Sequence, residues 1–346
     1  MTVSQPNEPR HTPLHIHDAH THLSGSGSGE SVQGILACLD AVGVASAFVF
    51  APLLDVHSWQ LTDADLEDIR THNDYAADVC SQAPERLLGF CVLNPAPGVG
   101  GGSIGRAVDL MVEEARRCYH ELGLRGVKMV PSGWYPNDPN LPRLYRALAD
   151  LGMYVVFHSG IFVDGREGSF CRPAFFEAIH AAPELKAQLA HVGWPWVDET
   201  IAVLDMETII FGGEPSNWQF KVDLSFGPPD DWQLETWQKV LDSLPTSMLC
   251  YGSDGFWPME PEHYREHYLQ PQLGLFEVAT TNGHVAPEGS AQRMELRQRI
   301  FAQNALDHWH AAVRTPQQPR RAANPVQTSR TRQGNHGSRA QRHQRS

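Results

Sequence analysis

No stretch of the 346-residue chain holds eighteen or more consecutive apolar residues, so no helical membrane span is expected. No two cysteines stand in a C-x-x-C pair. The six cysteines (38, 80, 91, 118, 171 and 250) are scattered, which fits reduced thiols in a cytoplasmic protein better than a disulfide framework. Met1 to His11 is polar and lacks the apolar segment of a signal peptide. Positive charge is scarce: 27 Lys and Arg face 40 Asp and Glu, a formal net charge of −13. The body is more acidic still. From Arg314 onward there are eight arginines and no acid, and setting them aside leaves 19 basic against 40 acidic residues, or −21. Such a body argues against nucleic acid as its partner. The segment Pro316 to Ser346 is rich in Gln, Arg, Ser and Pro, and disorder is expected there. A solvated tail, whose deletion leaves activity intact, is the simplest reading of it.

What is present is a 41% hydrophobic chain of a length that suits one α/β barrel with insertions. Strand-like runs begin at Leu14 and recur at Val44 to Phe50, Arg86 to Leu93, Gly126 to Val130 and Tyr154 to His158. They continue at Ala187 to His191, Phe220 to Phe226 and Met248 to Tyr251. Helical sequence follows each run: Val32 to Ala41, Asp63 to Gln82, Ser103 to Leu122, Leu141 to Leu151, Pro173 to Ala182, Trp196 to Glu207, Asp231 to Leu244, then on to about Ala312. Eight βα units imply parallel strands and predict a (β/α)8 barrel, the TIM-barrel fold class. The layout expected is a flexible N-terminus over 1–13, a barrel over 14–312 and a disordered Arg-rich tail over 313–346. An open nucleotide-binding sheet fits less well, because the glycine-rich Gly98 to Gly105 lacks the G-x-G-x-x-G order.

Chemistry collects at the strand ends. Asp18-Ala19-His20-Thr21-His22 closes the first run, and residues two apart on a strand share a face, so His20 and His22 form half of a divalent-metal site. Alone this H-x-H is weak, since His15 and His17 make another. Lys128, His158, His191 and Asp254 stand at or just past the ends of later runs. In a barrel these ends share one mouth, and three imidazoles plus a carboxylate make a mononuclear site with room for a water. Trp134, Tyr135, Trp194, Trp196, Phe256 and Trp257 follow strand ends and offer grip on an apolar or aromatic substrate. Arg172 has the geometry to clamp a carboxylate, with an ordinary salt bridge as the alternative, and Arg166 has a weaker version of the same claim.

With those blocks in place the chain resembles the amidohydrolase superfamily, in the branch of aminocarboxymuconate-semialdehyde decarboxylase-like enzymes, over roughly residues 14 to 310. The resemblance rests on Asp18 to His22, Gly126-Val127-Lys128, Phe157 to Gly160, Ala190 to Gly193, Tyr251 to Asp254 and Gln303 to Leu306. It implies His20, His22, His158 and Asp254 as ligands of a divalent metal, zinc first and manganese second. It implies Asp254 as the base and His191 as the group that polarises substrate or shuttles protons. Lys128 is either a carbamylated bridge between two metals or an amine that binds an anionic substrate group; the second is favoured. The resemblance implies hydrolysis of a C–N or C–O bond in a small molecule as the first reading. The alternatives are non-oxidative decarboxylation of a small unsaturated or aromatic carboxylic acid, a lyase reaction, and a non-catalytic barrel that only binds. Enzymes of this branch are often homo-oligomers; the chain itself leaves its oligomeric state open.

Overall fold

β1 (Ile16–Leu23) is the strand around which the sheet is arranged: it is buried along its whole length and pairs on both edges. In the computed structural model, residues 15–25, 28, 31–53, 63–99, 101–281 and 289–313 are described, apart from the side chains of 63–65. The expected flexible N-terminus and disordered tail lie outside them.

Among the described residues nine parallel strands form one curled sheet. They are β1, β2 (Val44–Phe50), β3 (Leu87–Leu93), β4 (Gly126–Met129), β5 (Tyr154–Phe157), β6 (Lys186–Leu189), β7 (Phe220–Asp223), β8 (Leu249–Cys250) and β9 (Gly255–Trp257). The order runs from β8 down to β1 and then β9. The two edges are therefore consecutive pieces of one chain segment, separated by Tyr251 to Asp254. β1 bridges this link: Ala19 N donates to Tyr251 O (3.1 Å) and Asp254 N donates to His20 O (2.8 Å). Eight strands were expected; the ninth, β9, lies past the last expected run, Met248 to Tyr251, and follows the link through Asp254. Gly252 is needed in that link, since a Cβ there would lie 2.8 Å from the Cβ of His20.

The helices α1 (Val32–Val42), α2 (Asp63–Ser81), α3 (Ile104–His120) and α4 (Leu141–Leu151) follow β1 to β4, and α5 (Val197–Ile210) and α6 (Asp230–Ser243) follow β6 and β7. α7 (Pro261–Tyr264), α8 (Gln270–Thr281), α9 (Ala291–Gln298) and α10 (Asn304–Ala312) complete the described chain. Local chemistry fixes several ends. Ser31 caps α1 by accepting from Gly34 N (3.0 Å), and Gly43 and Gly152 end α1 and α4 in left-handed backbone. No described helix is long and apolar enough to cross a membrane.

One core layer lies between strands and helices. A second fills the inside of the sheet: Ala19, Phe48, Phe50, Phe90, Tyr154, Val156 and Cys250 pack with Ala305, Trp309 and Ala312 of α10. Trp309 sits 5.3 Å, ring to ring, from both Phe48 and Phe90. α10 thus packs against the inside of the sheet, while the polar strand ends line a pocket.

Three segments depart from the sequence expectation. Pro173 to Ala181 is helical but wound as the tighter 3-10 form. β7 stops at Asp223 instead of Phe226. β6 stops at Leu189, and His191 lies in a turn with φ +59°, followed by Val192 at +53°. All six cysteines are buried and free.

Candidate active site

β1 brings His20 and His22 together with their Nε2 atoms 3.1 Å apart, both rings buried. Asp254 joins them from the β8–β9 link: its Oδ1 is 3.0 Å from His20 Nε2 and 3.2 Å from His22 Nε2. Like His191, Asp254 is a non-glycine residue in left-handed backbone, at φ +59°. Such strain of order 1–3 kcal/mol persists where surrounding contacts enforce it. Here Asp18 supplies the enforcement. Its buried carboxylate accepts from His20 N (3.0 Å), Ser253 N (2.9 Å) and Tyr264 OH (2.6 Å), tying β1 to the link and to α7.

The residue that orders the site was not singled out in the sequence. Asp223, fully buried at the end of β7, accepts from His20 Nδ1 (3.0 Å), Gln188 Nε2 (2.8 Å), His191 N (3.0 Å), Ser225 N (3.2 Å) and the Ser225 hydroxyl. A carboxylate has about four acceptor positions. With all of them in use, Asp223 is an orienting group, even though its oxygen lies close enough to His20 and His191 to suggest a ligand trio. By taking the His20 Nδ1 proton it leaves the Nε2 lone pair facing His22 and Asp254. Ser225 spends its proton on Asp223, so it accepts from His191 Nδ1 (2.9 Å) and leaves His191 Nε2 as the basic atom. The sequence signal for Asp223 was available: an acid in the middle of the strand-like run Phe220 to Phe226.

Electrostatics follow from burial. Desolvation pulls His22 down to about 3 and His191 to about 4, and His158 well below the ordinary imidazole value. These rings are neutral at pH 7, the form that binds cations. Burial and Lys128 also disfavour His20 protonation, but Asp223 and Asp254 more than offset them, and its value is raised. Burial opposes ionisation of Asp254; the neighbouring His20 and His191 nevertheless hold its carboxyl well below the usual range. Lys128, 1% exposed, places Nζ 3.1 Å from His20 Nε2 and over the Phe50 ring, and burial lowers it to about 8.

The donor set fits a divalent cation. His20 Nε2, His22 Nε2 and Asp254 Oδ1 converge, all within 4.8 Å of one another. His158 Nε2 is buried without a hydrogen-bond partner among the described residues. His158 and His191 lie 4.9 Å apart, ring to ring, and both line the same pocket.

That pocket has a volume of about 180 Å3. His22, Lys128, His158, Asp164, Arg166, His191 and Asp254 supply its polar lining, and Phe162, Trp194, Phe226 and Phe256 its aromatic one. Phe256 stacks on His22 (4.6 Å, 13° between planes) and Phe162 on His158 (4.2 Å, 9°). The expected substrate residues divide. Trp194 is in the wall. Trp257 is not: alternation along β9 turns Phe256 to the pocket and buries Trp257, whose Nε1 donates to Thr21 Oγ1 (3.1 Å). Arg172 is also outside the lining. It pairs with Glu199 of α5 and lies over Trp196, the salt-bridge alternative, while Arg166 lines the pocket. Trp134 is buried, and Tyr135 packs on Phe170 and Phe175; neither lines this pocket.

A family model described as Amidohydrolase matches residues 17–311. Among solved structures, 2,6-dihydroxybenzoate decarboxylase from Rhizobium is similar at 15% identity, covering 86% of this chain and 98% of its own, with a TM-score of 0.56. The 5-carboxyvanillate decarboxylase of Novosphingobium aromaticivorans, complexed with manganese and 4-hydroxy-3-methoxy-5-nitrobenzoic acid, is 14% identical, covering 86% and 96%, with a TM-score of 0.56. An uncharacterised TIM-barrel protein from Bordetella bronchiseptica is 17% identical, covering 87% and 100%, at 0.57. At these identities the likeness is one of fold. No curated protein matches the sequence.

Proposed function

The chain belongs to the amidohydrolase family, and from that premise we propose that it is a metal-dependent, non-oxidative decarboxylase of a small aromatic or otherwise unsaturated carboxylic acid. The observation that carries this reading is the pocket lining: imidazoles, the Asp254 carboxylate and a buried lysine, with the Asp164–Arg166 pair beside them, enclosed by four aromatic side chains. Two fold neighbours that act on carboxylated aromatic rings support it. Hydrolysis, the first expectation from the sequence, becomes the second reading, and the (β/α)8 barrel the sheet's proposed class, with β8 and β9 counted as one interrupted strand.

His20, His22, His158 and Asp254 would hold the divalent ion, manganese or zinc. When bound, it supplies a Lewis acid that polarises a substrate oxygen. The remaining work falls to the chain. Aromatic walls exclude water and orient a flat ring. Lys128 offers positive charge to an anionic group. His191, its Nδ1 proton held by Ser225, directs Nε2 at the substrate. In the reaction the carbon–carboxylate bond breaks, CO2 departs and the electron pair stays on carbon, which must gain a proton. Asp254 carries that proton, because its side chain keeps 30% of its surface open where His20 and His22 are closed off. It is ionised in the free site and takes up the proton, from solvent or an acidic substrate hydroxyl, before delivering it.

Metal content and CO2 release from a panel of hydroxylated benzoates test the proposal, beside a parallel panel of amides and lactones. The expected result is about one divalent ion per chain, none in the His20→Ala/His22→Ala variant, and one CO2 per arene formed. Turnover confined to the amides and lactones would move the assignment to hydrolysis. Two ions per chain would restore Lys128 as a carbamylated bridge. His191→Asn should keep its metal and lose on the order of 100-fold or more in rate; metal retention with unchanged rate removes His191 from the mechanism, and binding without turnover leaves the non-catalytic barrel. A cytoplasmic location is part of the proposal, supported by the six buried thiols.

A further inference from the structure

The segment that follows β5 builds a second cation into the pocket, above the imidazoles. Phe162 lies flat on His158. The guanidinium carbon of Arg166 sits 4.3 Å over the other partner in that stack, the Phe162 ring. Phe162 thus contacts both His158 and Arg166, and all three line the pocket. Arg166 is 18% exposed and Asp164 48%. The pair is an i, i+2 contact in which both Nε (2.8 Å) and Nη2 (2.6 Å) of Arg166 converge on one oxygen, Oδ2; the other oxygen, Oδ1, accepts from Arg166 N (3.1 Å).

This arrangement holds the guanidinium without using it up. A guanidinium carries five N–H donors in a planar fork, and among the described residues only Asp164 pairs with it, on the Nε–Nη2 side. Asp164 is about half exposed, and an ion pair open to solvent is weak, so displacing it costs little. In a chain of net charge −13, an anion entering this pocket needs local positive charge. Among the described residues Lys128 and Arg166 are the two Lys or Arg side chains in its lining, one buried beside His20 and one 18% exposed. The walls between them are aromatic.

Resting on the decarboxylase reading for its substrate class, we infer that Arg166 is the specificity-determining residue of the pocket: its free guanidinium edge receives a carboxylate of an aromatic ligand, and Asp164 holds the side chain in position when the pocket is empty. Arg166 selects anions over neutral isosteres of the same shape. Arg172, the residue the sequence favoured, faces Glu199 and has no part in it.

The test is equilibrium binding of benzoate and of neutral benzamide to the metal-loaded full chain, by calorimetry and by tryptophan fluorescence. The wild type should bind benzoate at least 10-fold more tightly than benzamide. Arg166→Gln should retain its metal, weaken benzoate binding 10-fold or more and leave benzamide unchanged. Arg166→Lys should recover part of the loss, and Asp164→Asn should leave benzoate binding equal to or tighter than wild type. Equal benzoate affinity in wild type and Arg166→Gln, or no preference for benzoate over benzamide, overturns the inference. If Arg166→Gln loses metal, the Arg166→Lys and Asp164→Asn comparisons decide by the same criteria. The reaction is judged separately. Arg166-dependent benzoate binding without CO2 release from any benzoate sinks the decarboxylase reading alone; CO2 release with benzoate binding indifferent to residue 166 sinks this inference alone.

Discussion

At the scale of single residues, the side chain with the greatest leverage is Asp223, which touches no solvent. It sets the proton on His20 Nδ1, receives the His191 backbone and fixes the Ser225 hydroxyl that orients the His191 ring. Removing its charge leaves His20 free to adopt the other tautomer, with Nε2 protonated and unable to ligate. Asp223→Asn should therefore lower metal affinity by about 10- to 100-fold, measured by chelator competition, with the far-ultraviolet spectrum unchanged. Affinity equal to wild type would mean that His20 holds its orientation without this carboxylate. The sequence exposed the ligand candidates because an H-x-H pair and a His or Asp after an apolar run are local patterns. It favoured Arg172 over Arg166, six residues apart on the same segment, whereas Arg166 lines the pocket, because only the path of the chain decides which one faces it.

At the scale of elements, β1 carries both the site and a titration built into its other end. His17 is buried, with Nδ1 2.8 Å from Ser46 Oγ and its ring edge-on to Phe48. Burial first, and the nearby His310 second, lower it from 6.5 to about 3. The unfolded chain binds this proton near pH 6.5 and the folded chain only near 3. Stability from a neutral His17 is thus complete above pH 6.5 and is lost as pH falls through that window. At pH 4.5 the loss from this one group is about 2–3 kcal/mol at 1.36 kcal/mol per unit. Urea unfolding of the EDTA-treated protein at pH 7 and 4.5 measures it, chelation removing the separate effect of metal loss. His17→Asn should shrink the drop between the two pH values by about that amount; an undiminished drop would assign it to other groups. The short elements were the least legible. β6 reads as a strand through His191, yet ends at Leu189, because the backbone must enter left-handed turns at His191 and Val192 to present the ring. Gly227 permits this turn: a Cβ there would lie 2.8 Å from His191 Cβ.

At the scale of the whole molecule, the last described helix stabilises the first strands. Trp309 of α10 is 5% exposed and packs on Phe48, Phe90 and Tyr154 inside the sheet. Trp309→Ala should cost about 3–5 kcal/mol, read as a lowered urea midpoint, through the cavity left between α10 and the strands. A loss below about 1 kcal/mol would show that the sheet closes without α10.

The sequence by itself determined the alternation of strands and helices, the parallel sheet and the residue types at its strand ends. Those follow from local periodicity and from polar residues that interrupt apolar runs. It could not determine which polar residues converge. His20 and Asp223 are 203 positions apart and meet only because the sheet curls. Likewise, the split of the last strand around Asp254 answers to the approach of His20, and the facing of Phe256 rather than Trp257 to the pairing of β9 with β1. Register and curvature are properties of the assembled sheet, set by contacts between segments that no local pattern connects.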